Sequence, residues 1–244
     1  MPDILKFTET PIIDESIEEY EYHEYEPITG TSLNNGGGDV RISIESEDIF
    51  THPSESYLMF EGRLRKADGT AYVNADEVAV TNNAIMHLFS RIEYHLSNQL
   101  IESINYPGQE TTMLGLLNTQ MTFQRLRVSI NCGIKTQHAT AVKADNIGFA
   151  ARHAYLIQSP TVKGTFSFRI QMKHIFGFCE KYDKIVYGLK HNLTLVRKTD
   201  DDAIFRGAAA GDGKVSLDKI RGSCLTLFRL MLKSFPFTRL LNQS

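Results

Sequence analysis

The chain has 244 residues with 26 basic and 29 acidic side chains, a net charge of −3, and 42% hydrophobic residues. That length and balance allow one large domain or two small ones with a buried core, and they argue against nucleic acid as a partner. The N-terminus carries no basic-then-apolar leader, and no run of about 18 apolar residues is free of charge, so neither secretion nor a membrane span is expected.

Charge is nevertheless uneven. Residues 1–30 hold nine acidic side chains (Asp3, Glu9, Asp14, Glu15, Glu18, Glu19, Glu21, Glu24, Glu26) against the single base Lys6. Such a segment repels itself and has few aliphatic groups to bury, so residues 1–36 are expected to be a disordered acidic arm. "SLNNGGGDV" then supplies a glycine joint, and the folded domain is expected from residue 37 to residue 220. "DVRISIE" alternates strictly, with Val40, Ile42 and Ile44 on one face, as a half-buried strand requires. "SYLMFEGRLRKADGTAY" repeats the pattern through Leu58, Phe60, Gly62 and Leu64 and turns at Asp68-Gly69. "SRIEYHLSNQLIESI" reads as a hairpin, with Ile92, Tyr94 and Leu96 on one face and a break at Ser97-Asn98-Gln99.

The one predicted helix is "PGQETTMLGLLN", which opens on a proline and carries Met113, Leu116 and Leu117 on one side. "TFSFRIQMK" alternates without a fault through Phe166, Phe168, Ile170 and Met172. Burying each of these four is worth roughly 1.5–3 kcal/mol before entropy is subtracted, and only strand geometry puts them on one surface. "KIVYGLKHNLTLVRK" is read as one long strand, bringing Leu193 and Leu195 to the same interior, and "GKVSLDKI" as a shorter one. Strands with one short helix and no β-α-β rhythm predict an all-β, antiparallel jelly-roll sandwich. Its packing residues are Val40, Ile42, Leu58, Phe60, Ile92, Tyr94, Phe166, Phe168, Ile170, Leu193 and Leu195.

No motif carries catalysis. "GAAAGDGKV" has Ala208 where a phosphate loop needs its first glycine and Val215 where the magnesium hydroxyl would stand. Asp200, Asp201 and Asp202 are consecutive rather than alternating, which suits a turn better than a calcium loop. His87, His95, His153, His174 and His191 are scattered without zinc spacing, and Cys179 has no identifiable base partner. Cys132, Cys179 and Cys224 make an odd count with no metal-ligand spacing, which points to a reducing compartment. Asn192-Leu193-Thr194 is therefore read as an unused sequon. No catalytic, cofactor or metal residue is expected.

"SESYLMFEGRLRKADGTAY", "VTNNAIMHLFSRIEYHLSNQLIES", "NIGFAARHAYLIQS" and "KHNLTLVRKTDDDAIFR" together resemble the first jelly roll of the double jelly-roll, hexon-like major capsid proteins of Polinton/Maverick-type elements and adintoviruses. The likeness covers roughly residues 37–118 and 140–220. It implies a structural, non-enzymatic virion protein assembled inside the host cell. The partners it implies are other capsid subunits, in homotrimers, and a penton-type capsid protein. No cofactor is implied. The alternative reading is a domesticated cellular jelly roll that binds protein or glycan.

Two stretches depart from the resemblance: residues 118–139 and the tail 221–244, neither of which holds an acidic residue. Both can be back-translated so that a frame displaced by two nucleotides yields family-like sequence. They are accordingly expected to be an out-of-frame segment and a non-family tail. The tail's apolar run is broken by Arg229, Lys233 and Pro236, so it cannot span a bilayer; an interfacial helix is its functional rival.

Overall fold

Period-two alternation in the sequence becomes extended backbone in the computed structural model, which describes residues 17–28, 33–34, 36–45, 49–118, 147–207 and 212–229. The strands are β1 (Ile17–Tyr25), β2 (Asp39–Ile44), β3 (Phe50–Lys66), β4 (Val78–Val80), β5 (Phe89–Leu96), β6 (Gln99–Asn105), β7 (Thr165–Gln171), β8 (Val186–Tyr187), β9 (His191–Arg197), β10 (Ile204–Arg206) and β11 (Gly213–Arg229). Helical pieces are short: α1 (Ala84–His87), α2 (Pro107–Asn118), α3 (Ile147–His153) running on into a π turn over Ala154–Gln158, and α4 (Gly177–Lys181).

All pairings are antiparallel. One sheet runs β1-β11-β3-β7 with β8 also on β3, a second runs β2-β9-β5-β6, and β10-β4 forms a small ribbon. The two large sheets face each other. Inward residues of β3 and β7 (Leu58, Phe60, Leu64, Phe166, Phe168, Ile170) share one apolar core with those of β2, β5 and β9 (Val40, Ile42, Ile92, Tyr94, Leu193, Leu195). Each of the eleven packing residues named from the sequence is 5% exposed or less. The sheets approach closely at Gly222, where an added Cβ would sit 3.1 Å from Ile42 Cγ2 on the facing sheet. The result is an antiparallel jelly-roll-like sandwich.

Irregular positions have local causes. The β5–β6 turn is two residues long, and Ser97 (φ 44°) and Asn98 (φ 70°) both take the left-handed conformation that matches strand twist in such hairpins. Between β3 and β11 the register slips at Ser223/Leu225, opposite the stretch between His52 and Tyr57 that contains Pro53. Ser56 stabilises this bulge: its hydroxyl donates to the His52 carbonyl at 2.8 Å and accepts from the Leu225 amide at 3.2 Å. A second slip makes Asp218 the extra residue between Leu217 and Lys219. There the Asn34 side chain replaces a neighbouring strand, accepting from Leu217 N at 2.7 Å and donating to Leu217 O at 3.1 Å.

Three expectations change. Part of the presumed disordered arm, Ile17–Tyr25, is strand β1 on β11, because alternation within IEEYEYHEY and the ladder available on β11 outweigh its charge. Arg221 of β11 lies 3.1 Å from Glu24, neutralising part of that charge. The domain edge expected at residue 220 is also absent: β11 continues to Arg229, between β1 and β3. "KIVYGLKHNLTLVRK" is two strands, since Gly188 at φ +63° breaks it and β8 and β9 join opposite sheets. Beyond the predicted helix, found at Pro107–Asn118, "NIGFAARHAYLIQ" also supplies helix. The expectation for residues 118–139 concerns a stretch that, after Asn118, lies outside the described residues.

Candidate functional surface

Polar groups enter the interior at both ends of β9. At its start, the His191 ring lies between Tyr94 of β5 and Thr51 of β3, with Tyr94 Oη 2.7 Å from Nδ1 and Thr51 Oγ1 2.9 Å from Nε2. Thr51 donates its own proton to the Val186 carbonyl at 3.1 Å, so Nε2–H must donate to Thr51 and Nδ1 must accept from Tyr94. Burial holds the imidazole neutral, pushing its pKa down from 6.5 to about 4, and pushes the Tyr94 phenol up. Because the Thr51 hydroxyl is committed to a carbonyl, the trio is no activated nucleophile; it ties the two sheets together.

At the other end of β9, Arg197 is 3% exposed. Its Nη2 is 2.5 Å from Asp200 Oδ1 and donates to the Val215 carbonyl at 3.1 Å, and Nη1 donates to the Leu88 carbonyl at 3.0 Å. Asp200 Oδ2 accepts from Val215 N at 2.7 Å, so one ion pair clamps the start of β11 to the end of β9. Burial pulls the Arg197 pKa down and the Asp200 carboxylate opposes it. Among the described residues Arg197 Nε is buried with no hydrogen-bond partner, a residual penalty of the arrangement.

The remaining sequence candidates are dispersed. Burial pushes the Cys179 thiol up to about 12 and the Cys224 thiol up to about 11, so neither is a thiolate near neutral pH; Cys132 lies outside the described residues. His87 is held below its ordinary pKa by burial, and His153 Nε2 lies 3.0 Å from the Asp76 carbonyl oxygen. Asp202 pairs with Lys198 in the turn after β9. Of "GAAAGDGKV", residues 208–211 lie outside the described set and Gly213 begins β11. Among the described residues no three His, Cys, Asp or Glu side chains converge as metal ligands, and no helix is long and apolar enough to cross a membrane. Glu102, which the sequence did not single out, accepts from the amides of Gly177 and Phe178 at 3.0 and 2.9 Å and so anchors α4 to β6.

Outward surfaces carry more character. An open groove of about 480 Å³ lies over β3 and β7, with Tyr155 and Pro160 beside Glu61, Thr165 and the Arg63–Asp218 ion pair (2.9 Å). Towards the β1 side of the same sheet, Tyr22 and Tyr57 approach at 5.3 Å between ring centroids, and the Arg169 guanidinium lies 3.5 Å from the Tyr57 centroid. Tyr20, Tyr22 and Tyr187 remain 58%, 46% and 54% exposed.

Comparison with known proteins starts from this sandwich. A chain of the Sputnik virophage cryo-EM structure superposes with TM-score 0.60 at 10% identity, over 96% of this chain and 52% of that one. The mavirus major capsid protein gives TM-score 0.48 at 12% identity, over 97% and 52%. The Faustovirus major capsid protein gives 0.43 at 10%, over 92% and 57%. The first of these likenesses shows the fold, and the present chain spans about half the length (52%) of the Sputnik and mavirus chains. No curated protein matches in sequence. The double jelly roll-like domain model matches residues 78–242, from β4 through β11, and the chain belongs to that family.

Proposed function

We propose that the chain is a structural virion protein: one jelly roll of a hexon-like major capsid protein, of the Polinton/Maverick and adintovirus type, that builds an icosahedral shell through contacts with other subunits. The observation that carries this reading is the family match over residues 78–242 on a closed antiparallel sandwich. Its buried polar groups are spent on holding strands together rather than on a reacting site. It is proposed to have no catalytic role, to need no cofactor, and to reside in the virion after assembly inside the host cell. Homotrimer formation and contact with a penton-type protein follow from the resemblance. The residues present are proposed to correspond to the N-terminal jelly roll of such a protein.

The displaced-frame reading is kept for residues 118–139. The pairing of Gly222, Ser223, Leu225, Thr226 and Leu227 with strands on both sides of β11 weighs against it for the tail. The genomic sequence tests it.

A second reading is a cellular jelly roll that binds protein or glycan, favoured by the groove with its exposed Tyr155 platform and the Arg63–Asp218 pair. Mass spectrometry of density-gradient particle fractions separates the two. Recovery of this chain with the particles, encoded beside a protein-primed polymerase, a packaging ATPase and a capsid protease, supports the capsid reading. A chain found only in soluble fractions, from an intact spliced host gene, overturns it.

A further inference from the structure

We propose that residues 177–188 form a strap over one end of the sandwich, which the neutral His191 ring keeps shut and which protonation of that ring releases. The strap takes in α4 and β8 and runs from Gly177 to Gly188, the latter at φ +63°. Within it only Cys179 and Val186 are buried, while residues 180–185 and Tyr187 face solvent. Such a segment has few apolar contacts to lose, and a glycine at each end absorbs the backbone change of opening. Its tethers are few and polar. Glu102 accepts from the amides of Gly177 and Phe178 at 3.0 and 2.9 Å, Asp183 Oδ1 lies 2.8 Å from His52 Nε2, and Thr51 Oγ1 donates to the Val186 carbonyl at 3.1 Å. β8 adds a ladder of only two pairs, Tyr187 with Phe50 and Val186 with Thr51.

The strap lies against the His191 network. Phe178 packs on the Tyr94 ring at 5.8 Å, Phe176 just before the strap at 5.3 Å, and the Tyr94 and His191 rings are 6.0 Å apart. Both imidazole nitrogens already face hydroxyls, Thr51 at Nε2 and Tyr94 at Nδ1. An imidazolium must donate from both, so the Tyr94 oxygen becomes an acceptor and its own proton turns towards the Phe176 and Phe178 rings. Among the described residues no carboxylate contacts the ring to offset the new charge. The titratable groups around it are Tyr94, Cys179 on α4 and Cys224 on β11, with Glu102 beyond Cys179 and Tyr25 of β1 beyond Cys224. Lys190 and Glu45, beside it along β9 and β2, pair with each other in solvent at 2.6 Å. Protonating Glu102 would weaken a tether and so act in the same direction, whereas a protonated His52 is the better donor to Asp183 and acts in the opposite one. Lifting the strap brings water to the ring and leaves β1-β11-β3-β7 and β2-β9-β5-β6 paired, because β8 lies off that path. The inference stands apart from the capsid reading, since it concerns an opening of the sandwich itself.

Thiol labelling of the full chain with dithiodipyridine, which reacts in acid as well as at neutral pH, tests it when read by peptide mass spectrometry. Each rate is divided by that of the same thiol in the urea-unfolded chain at the same pH. Cys179, on the strap, is expected to react about sixtyfold faster at pH 4.5 than at pH 7, the ratio for a ring that titrates at 6.5 when solvated and at about 4 when covered. Cys224, buried in the β11 ladder, should not follow. In His191→Gln the pH dependence at Cys179 should vanish. Glu102→Gln, which weakens a tether without touching the ring, should raise the Cys179 rate at pH 7 and keep the pH dependence. A flat profile at Cys179 in the unaltered chain overturns the proposal, as does a pH dependence that survives in His191→Gln. So does a parallel rise at Cys224, which would mean that the whole sandwich opens. If circular dichroism shows His191→Gln unfolded, the two thiols of the unaltered chain and of Glu102→Gln decide.

Discussion

The two ends of β9 solve the same problem with opposite chemistry. Both bring a nitrogen-rich side chain into the sandwich, His191 at the start and Arg197 at the end. The His191 end stays neutral: one tautomer, one phenol and one hydroxyl satisfy each other in a chain of uncharged hydrogen bonds. The Arg197 end stays charged, and needs a carboxylate and two backbone carbonyls to hold one guanidinium. A neutral network responds to proton concentration, because protonation puts a charge where there was none. A buried ion pair responds to loss of a partner, because the survivor keeps its charge without compensation.

The largest expected effect tests the charged end. Asp200→Ala leaves the Arg197 guanidinium buried without its carboxylate and Val215 N without its acceptor. We expect a loss of about 3–5 kcal/mol in urea unfolding, the range for a broken buried pair. A loss below about 1 kcal/mol would mean that the pair is solvated in solution.

Next comes the neutral end under acid. The folded His191 pKa is about 4 against 6.5 for an unburied ring, so the unfolded chain binds the extra proton between those values. The associated stability is complete above pH 6.5, falls as pH drops towards 4, and levels off below. It amounts to about 3 kcal/mol from the size of the shift. Unfolding measured from pH 7 to pH 4 should show that slope, and His191→Gln should flatten it.

Tyr94→Phe removes only the phenol's hydrogen bond and leaves His191 Nδ1 without its donor. A loss of about 1–2 kcal/mol is expected in urea unfolding. The smallest effect belongs to an exposed pair of the same chemical kind as the charged end. Asp218→Ala breaks Arg63–Asp218, whose side chains are each 41% exposed, and should change stability by no more than about 0.5 kcal/mol. If it matched Asp200→Ala, burial would not be what distinguishes the two pairs.

Both ends left a trace in the sequence that composition and motif spacing did not register. In HNLTLVR the buried positions are His191, Leu193, Leu195 and Arg197, so period-two alternation puts a histidine and an arginine on the apolar face. Reading the turn aspartates only as turn residues hid Asp200, whose two oxygens serve Arg197 and Val215, the latter fifteen residues on in sequence. Glu102 was equally hidden, because its partners Gly177 and Phe178 lie 75 and 76 residues away.

By itself the sequence determined where the chain is extended and which faces are apolar: the alternation through Ile42, Phe60, Tyr94, Phe168 and Leu195 is a local property of strand geometry, so it can be read one segment at a time. The PGQETTMLGLLN helix was legible for the same reason. Only the tertiary structure decided that an acidic segment becomes β1, that β11 runs on to Arg229, and that β8 and β9 part company at Gly188. Each of those outcomes depends on a ladder supplied by a strand distant in sequence. Pairing of that kind is a property of the assembled sheet rather than of any window of residues.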